Sequence, residues 1–281
     1  MAPLRPKTTP ARGVLRSDPE TLPIAVTRFE PPADLAPFVE HFWIVRWDLR
    51  AHGPRTQEVL PHPSIHWVNE YPRSEIQGIV RGRFTRVLRG RGQVHSVKFR
   101  PGGFSAFVDT PMHRFTGKRS SAVRVLGPVL RGVAARVRDC SDAEAVDLLT
   151  DVLRRLEPTP DPAARRAGEI VLTIAADHEI ISVAQVCARS DISRLNLQRL
   201  FRRKIGVSPK WVIQRYRLHE VVERIHALPP GESPPWAALA VDLGFTDQAH
   251  FARTFRAFVG VSPGHYVKRL RSGAAAAAHA S

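Results

Sequence analysis

Two groups of long hydrogen-bonding side chains recur along this chain. Leu195, Gln198, Arg199 and Arg202 stand at i, i+3, i+4 and i+7, so an α-helix would place them on one face. Ala249, Arg253 and Arg256 make a second stripe, with Gln248 beside it, and Arg253 lies 54 positions after Arg199. Glutamine matches the donor–acceptor pair of adenine, the arginine fork matches guanine, and a leucine can touch the methyl group of thymine. Arg194, Arg203, Lys204, Lys210, His250 and Arg256 suit phosphate oxygens, which need charge rather than pattern. The plain alternative is a pair of solvated helix faces.

The surrounding chain decides between these readings. Arg199-x-Phe201-Arg202 followed by Gly206-Val207-Ser208-Pro209 returns in register as Arg253-x-Phe255-Arg256 followed by Gly260-Val261-Ser262-Pro263. A pattern of that length repeated without a gap marks one structural unit used twice. Ser182-Val183-Ala184-Gln185 has capping-box form and starts a helix that Arg189-Ser190-Asp191 breaks. Ser193 caps a second helix ending at Gly206, with Leu197, Leu200 and Phe201 facing inward. The second copy runs from Trp236 to Leu243, turns at Gly244, and restarts near Asp247 with Phe251, Phe255 and Phe258 inward. Between the copies, Ser208 and Pro209 open a helix that the pattern carries to about Ala227. At about 1.5 Å per residue it is a rod of about 28 Å. Such a rod can hold two recognition helices about one DNA turn, roughly 34 Å, apart.

These segments resemble the DNA-binding domain of the AraC/XylS family of bacterial transcription regulators. The resemblance is carried by residues 193–209 and 244–266, with Gly244, Phe245, Phe251, Arg253, Phe255, Gly260, Pro263 and Tyr266 standing where the family's signature has them. It implies an all-α domain over 158–271 with two helix-turn-helix motifs, at about 182–206 and 235–260. It also implies double-stranded DNA as partner, and RNA polymerase if the protein is an activator. Leu195, Gln198, Arg199, Arg202, Gln248 and Arg253 would contact bases. Arg194, Arg203, Lys210, His250 and Arg256 would contact the backbone. Val267 follows Tyr266 where the family commonly has a basic residue, and Ala249 and Ala252 leave the second stripe short of donors.

Composition bounds the rest. A chain of 281 residues with 43% hydrophobic side chains can build two cores, giving an α+β multidomain protein. The net charge is +16, and residues 181–271 hold 15 Lys/Arg against 6 Asp/Glu, as a phosphate-binding surface requires. No apolar run approaches a transmembrane span, and residues 1–23 read as a disordered basic tail rather than a secretory signal. Cys140 and Cys187 form no disulfide framework, so a reducing cytoplasm is expected. An alternative is an enzyme, cupin-like or of the alkyl-transfer DNA-repair type, fused to the DNA-binding module. The repair chemistry needs a zinc-bound cysteine cluster near the N-terminus, where this sequence has none. No catalytic residue, cofactor or metal is assigned.

Residues 24–157 read as a β-rich domain, a small barrel or sandwich with flanking helices. A short helix is expected at Ala33–Val39. Strands are expected at His41–Trp47, Gln57–Leu60, Ser64–Asn69, Ile76–Val80, Phe84–Leu88, Val94–Phe99 and Phe104–Val108. Residues 97–103 and 60–64 carry a weaker resemblance to the N-terminal domains of some AraC-type regulators, which implies effector sensing, dimerisation or both. Seven basic and no acidic residues lie within 76–108. They either line a site for an anion or face outward from hairpins. His62, His66, His95 and Glu58 make no complete metal-ligand spacing. Trp43, Trp47 and Trp67 shape a pocket or pack in the core. Helical periodicity runs from about Ser121 to Leu156, and the amphipathic stretch 142–156 either completes this domain or pairs two chains. Pro158–Pro162 is a stiff linker, and 272–281 is expected to fray.

Overall fold

The computed structural model describes Leu15, residues 23–229 and residues 232–278, with side chains to Arg271. The expected basic tail lies outside the described residues except for Leu15.

Six antiparallel strands form one sheet in the order β1 (Ile24–Phe29), β2 (Val39–Asp48), β7 (Arg91–Phe99), β4 (His66–Glu70), β5 (Arg73–Gln77) and β8 (Arg119–Ser121). A separate ribbon pairs β3 (Arg55–Val59) with β6 (Phe84–Leu88), and Leu88 packs with Trp47, Leu49 and Val94 on one face of the larger sheet. The result is a small sandwich. Alternation along β2 and β7 sends Phe42, Ile44, Val97 and Phe99 to the other face. There they meet α2 (Val133–Arg138) and α3 (Asp142–Arg155) through Val133, Val137, Val146, Leu149 and Leu153. A fully buried side chain of this kind contributes about 1.5–3 kcal/mol. The apolar face of α3 is thereby used within its own chain, completing the domain. A capping box of Ser141 and Glu144 starts it.

Two expected elements are different. Residues 33–38 form hydrogen-bonded turns onto Pro32 and Leu35 instead of a helix. Pro37 lacks the N–H a continuing helix would use. Residues 104–108 are not a strand. A 3₁₀ turn at Gly103–Ala106 follows the reversal at Pro101-Gly102 and sends Phe104 against Phe99 and Phe115. Strands β1 and β8 carried no alternation to reveal them, because both are sheet edges. Helical periodicity after Ser121 is real but broken into α1 (Ala122–Leu126), a 3₁₀ turn at Pro128–Leu130, α2 and α3. Pro128 sits in a first turn, where its missing donor costs nothing.

Asp161 caps α4 (Pro162–Ala176), accepting from Ala163 and Ala164, and ion-pairs with Lys204. The helices that follow are α5 (Val183–Ser190), α6 (Arg194–Leu200), α7 (Pro209–His226), α8 (Trp236–Asp242), α9 (Gln248–Val259) and α10 (Pro263–Ala278). The alanine run expected to fray continues α10 as far as Ala278, as alanine's helix propensity favours. The two halves of the chain share one core. The cluster beneath the sheet runs without interruption into Ile170, Ile174, Phe201, Val212 and Ile213.

Candidate nucleic-acid interface

Each helix-turn-helix unit is built by the signals its sequence carries. In the first, Ser182 and Gln185 cap α5 reciprocally, Asp191 ends it in the left-handed region, and the Ser193 hydroxyl caps α6. Leu197 and Phe201 are fully buried. In the second, the Asp247 carboxylate caps α9 at His250 N, 2.6 Å away, and Phe251, Phe255 and Phe258 are buried. Phe245, Phe251, Phe255 and Tyr266 stack as a chain of rings with centroids 5.3–5.8 Å apart.

Helix α7 belongs to both units. Val212 and Ile213 enter the first core, whereas Leu218, Val221, Val222 and Ile225 enter the second. Its 18 residues span about 27 Å. Arg217 ties this rod to the end of α4, donating to the Ile174 and Asp177 carbonyls at 3.2 and 2.8 Å, and also donates to Glu220 of its own helix at 2.9 Å.

With the inward faces used this way, the outward stripes are left to solvent. Gln198, Arg199, Arg202, Gln248, Arg253 and Arg256 are exposed, and Leu195 is 55% exposed although it is apolar. Arg194, Arg203 and Lys210 are exposed too. Among the described residues none of these cations has a carboxylate partner, whereas most other arginines of the domain do. Lys204 is the exception in its segment, being held by Asp161. His250 is partly occupied: its Nδ1 accepts from Thr246 N at 3.4 Å and its ring lies edge-on to Phe245. Arg202 and Arg203 stand in a π-turn, Phe201–Ile205, that extends α6. The second copy stays α-helical through Arg256.

Residues from the sheet domain dock at equivalent points of the two copies. Gly206 (φ 103°) and Gly260 (φ 87°) end the two recognition helices in the left-handed region that glycine tolerates. A Cβ at Gly206 would lie 2.8 Å from Thr116 Oγ1 and 2.9 Å from the Met112 carbonyl, and one at Gly260 would lie 2.8 Å from the Arg83 guanidinium. The Thr116 hydroxyl donates to the Gly206 carbonyl at 2.8 Å. Between these points Arg215 of α7, wholly buried, lies against the rings of both Trp211 (4.5 Å) and Phe258 (4.7 Å), which also touch each other. Its Nη2 lies 2.5–3.2 Å from the carbonyls of Val80, Arg81 and Gly82. Residues 78–83 and 112–118 are themselves joined by Gly78 N to Lys118 O and Gly117 N to Ile79 O. One brace from the sheet domain therefore spans both units. Glu58 adds to it, accepting from Arg83 and from Arg269 of α10. His62 stacks on His219 of α7 at 4.4 Å, and Tyr266 donates to the Leu15 carbonyl at 2.6 Å. Nothing in the local pattern of Arg215 announced this role.

The residues weighed as a metal set go separate ways. Glu58 is ion-paired, His62 lies against α7, and His66 and His95 face opposite sides of the sheet. Among the described residues no three His, Cys, Asp or Glu side chains gather as a metal site.

Comparison with known proteins agrees with this geometry. Residues 186–269 match a helix-turn-helix domain family, and residues 27–121 match a domain of unknown function, DUF6597. The arabinose operon regulatory protein of Escherichia coli is 30% identical over 137 residues, covering 45% of this chain and 44% of that protein. Its Salmonella typhimurium counterpart matches equally, over 46% of its length. The chain thus spans under half the length of these curated relatives. Among solved structures, the C-terminal domain of AraT from Geobacillus stearothermophilus aligns at 22% identity and a TM-score of 0.32, over 39% of this chain and 86% of that one. ToxT from Vibrio cholerae aligns at 13% identity and a TM-score of 0.38, over 87% and 97%. The duplicated helix-turn-helix domain at the C-terminal end of this chain is thus similar to that of AraC-type regulators.

Proposed function

We propose that this protein is a sequence-specific, DNA-binding transcription regulator. In this reading α6 and α9 enter successive major grooves, and the sheet domain senses an effector. The observation that carries it is the pair of outward stripes, whose cations have no carboxylate partner among the described residues while Leu197, Phe201, Phe251, Phe255 and Phe258 behind them are buried. Leu195, Gln198, Arg199 and Arg202 form a stripe able to read bases, and Gln248 and Arg253 are its counterpart on α9. Arg194, Arg203, Lys210 and Arg256 hold phosphates, with His250 at the start of α9. Because Ala249 and Ala252 cannot hydrogen-bond a base edge, α6 carries most of the specificity and α9 mainly register and affinity. A sensing role for residues 24–157 rests on their shared core with α4, α6 and α7 and on the brace at both recognition helices. An activator would meet RNA polymerase as a further partner.

Selection from random duplex DNA tests this division. Gln198→Ala or Arg199→Ala should relax preference at defined bases in one half of the site, where a good bidentate contact discriminates by about 1–3 kcal/mol. Arg253→Ala should weaken binding evenly across sequences. Titration at several salt concentrations should show affinity falling steeply with salt. A flat salt dependence, or a motif lost with Arg253→Ala and kept with both α6 variants, refutes the assignment.

A further inference from the structure

The seven basic residues of 76–108 separate once they are folded. Arg83 pairs with Glu58, Arg86 with Glu70, and Lys98 with Glu40 at 2.9 Å. Arg100 donates to the Ala36 carbonyl at 2.7 Å, and the backbone around Arg81 takes part in the brace. The side chains of Arg81, Arg89 and Arg91 remain exposed, and of these only Arg89 and Arg91 line the cavity described below. Arg89 and Arg91 flank the turn at Gly90 between β6 and β7, both exposed; neither side chain is in ion-pair or hydrogen-bond contact among the described residues, although Arg91 stands opposite Asp48 across β2 and β7 and, after the Arg50 guanidinium, helps to lower the pKa of that carboxyl.

Both border a cavity of about 1100 Å³ at the open end of the six-stranded sheet. Four other charges lie in its wall, and each is answered there by a carboxylate or arginine behind it. Arg46 meets Asp142, Arg138 meets Asp139, Asp48 meets Arg50, and Glu70 meets Arg86. Arg89 and Arg91 therefore leave the cavity cationic. Asn69 and His95, paired across β4 and β7, also line it, and each is only 1% exposed. The Asn69 Oδ1 accepts from the Ser74 hydroxyl at 2.7 Å, which leaves its Nδ2 with no partner. His95 Nε2 has none either, and burial lowers the pKa of that ring to about 4, so it is neutral near pH 7. Buried polar atoms without partners are rare and need an explanation. Two neighbouring ones in the wall of a cationic cavity have a common one.

We propose that this cavity binds a small organic oxyanion, its acidic group held by Arg89 and Arg91 and a second acceptor reaching Asn69 and His95. The inference deepens the sensing role given above to residues 24–157, and rests on it only for its regulatory meaning. Carboxylate and phosphate share the chemistry, so the full-length chain is titrated calorimetrically, without DNA, with succinate, glycerol 3-phosphate and uncharged glycerol. One of the two anions should bind at one site per chain, at least about tenfold more tightly than glycerol. Arg89→Gln/Arg91→Gln, both at exposed positions, should weaken that binding about tenfold or more. Arg199→Gln/Arg202→Gln should leave it unchanged. Absence of saturable binding by either anion up to about 10 mM overturns the proposal. So does equal binding by the Arg89/Arg91 variant, or loss in the α6 variant, which would place the anion on the DNA-facing surface. A parallel duplex-binding assay separates the two readings, since the cavity can fail while DNA binding persists.

Discussion

Arg215 is where opposing magnitudes can be weighed most directly. Its guanidinium is wholly buried with no carboxylate beside it, and burial lowers its pKa to about 9. A change of that size corresponds to about 5 kcal/mol against the charged form. Opposing this are hydrogen bonds from a charged donor to the carbonyls at 80–82, about 1.5–3 kcal/mol, and two desolvated ring contacts, up to about 2 kcal/mol each. The two sides nearly cancel. Arg215→Met keeps the apolar stem against Trp211 and Phe258 and removes the charge, so its net cost should be within about 1 kcal/mol. Arg215→Ala also opens a cavity beside the two rings and strands the carbonyls, and should cost about 3 kcal/mol. Urea unfolding followed by circular dichroism measures both. Each variant should also release the segment around Arg81 and Arg83, which limited trypsin digestion of the folded chain would report as faster cleavage there. If Arg215→Met cost 4 kcal/mol or more (roughly a thousandfold in the folding constant), the charge would be a large net stabiliser and the cancellation argument would be wrong.

Three further outcomes follow from the geometry. Burial lowers the pKa of His95 to about 4, so the unfolded chain takes up a proton that the folded chain refuses; stability is full above about pH 6.5 and is lost as pH falls toward 4, by about 1.4 kcal/mol per pH unit. Because burial also lowers the pKa of His66, to about 3, thermal unfolding at stepped pH should show a steeper slope, from which His95→Gln should remove about 1.4 kcal/mol per pH unit, whereas an unchanged slope places the titration elsewhere. Gly206→Ala should cost more than Gly260→Ala, beyond the roughly 1–2 kcal/mol of left-handed strain common to both, because the Met112 carbonyl is fixed backbone while the Arg83 side chain can swing aside; equal melting temperatures for the two variants would contradict it. Phe255→Ala should cost about 3–5 kcal/mol, since Phe255 is fully buried between Phe251 and Tyr266, and a chemical denaturation midpoint close to wild type would show that the ring stack is not what holds the second unit.

Much of the C-terminal half is legible in the sequence. Ser182, Ser193, Ser208 and Asp247 each begin a helix with a side-chain cap, and Gly206 and Gly260 each end one. These signals act within one turn of backbone, so a linear sequence holds them whole. The repeat at 54 positions added the architecture, because a unit used twice must bury the same face twice. The N-terminal half was less legible. Turn residues located most of its strands, but edge strands β1 and β8 needed partners to exist, and Pro101-Gly102 converted an alternating run into a 3₁₀ turn.

What tertiary structure alone decided is which charges are free. Residues 76–108 read as one basic run, and only folding sends Arg83, Arg86 and Lys98 to carboxylates at positions 58, 70 and 40 while leaving Arg89 and Arg91 in a cavity wall. The same holds for Lys204, which looks like its neighbours Arg202 and Arg203 until Asp161 meets it. Arg215 reads as one more cation on a helix, yet it is buried against carbonyls more than 130 positions earlier in the chain. Helix caps and periodicity are set by neighbours a few residues away. Pairing and burial of charge are set by groups that become neighbours only when distant segments close on one another, and a local pattern carries no record of them.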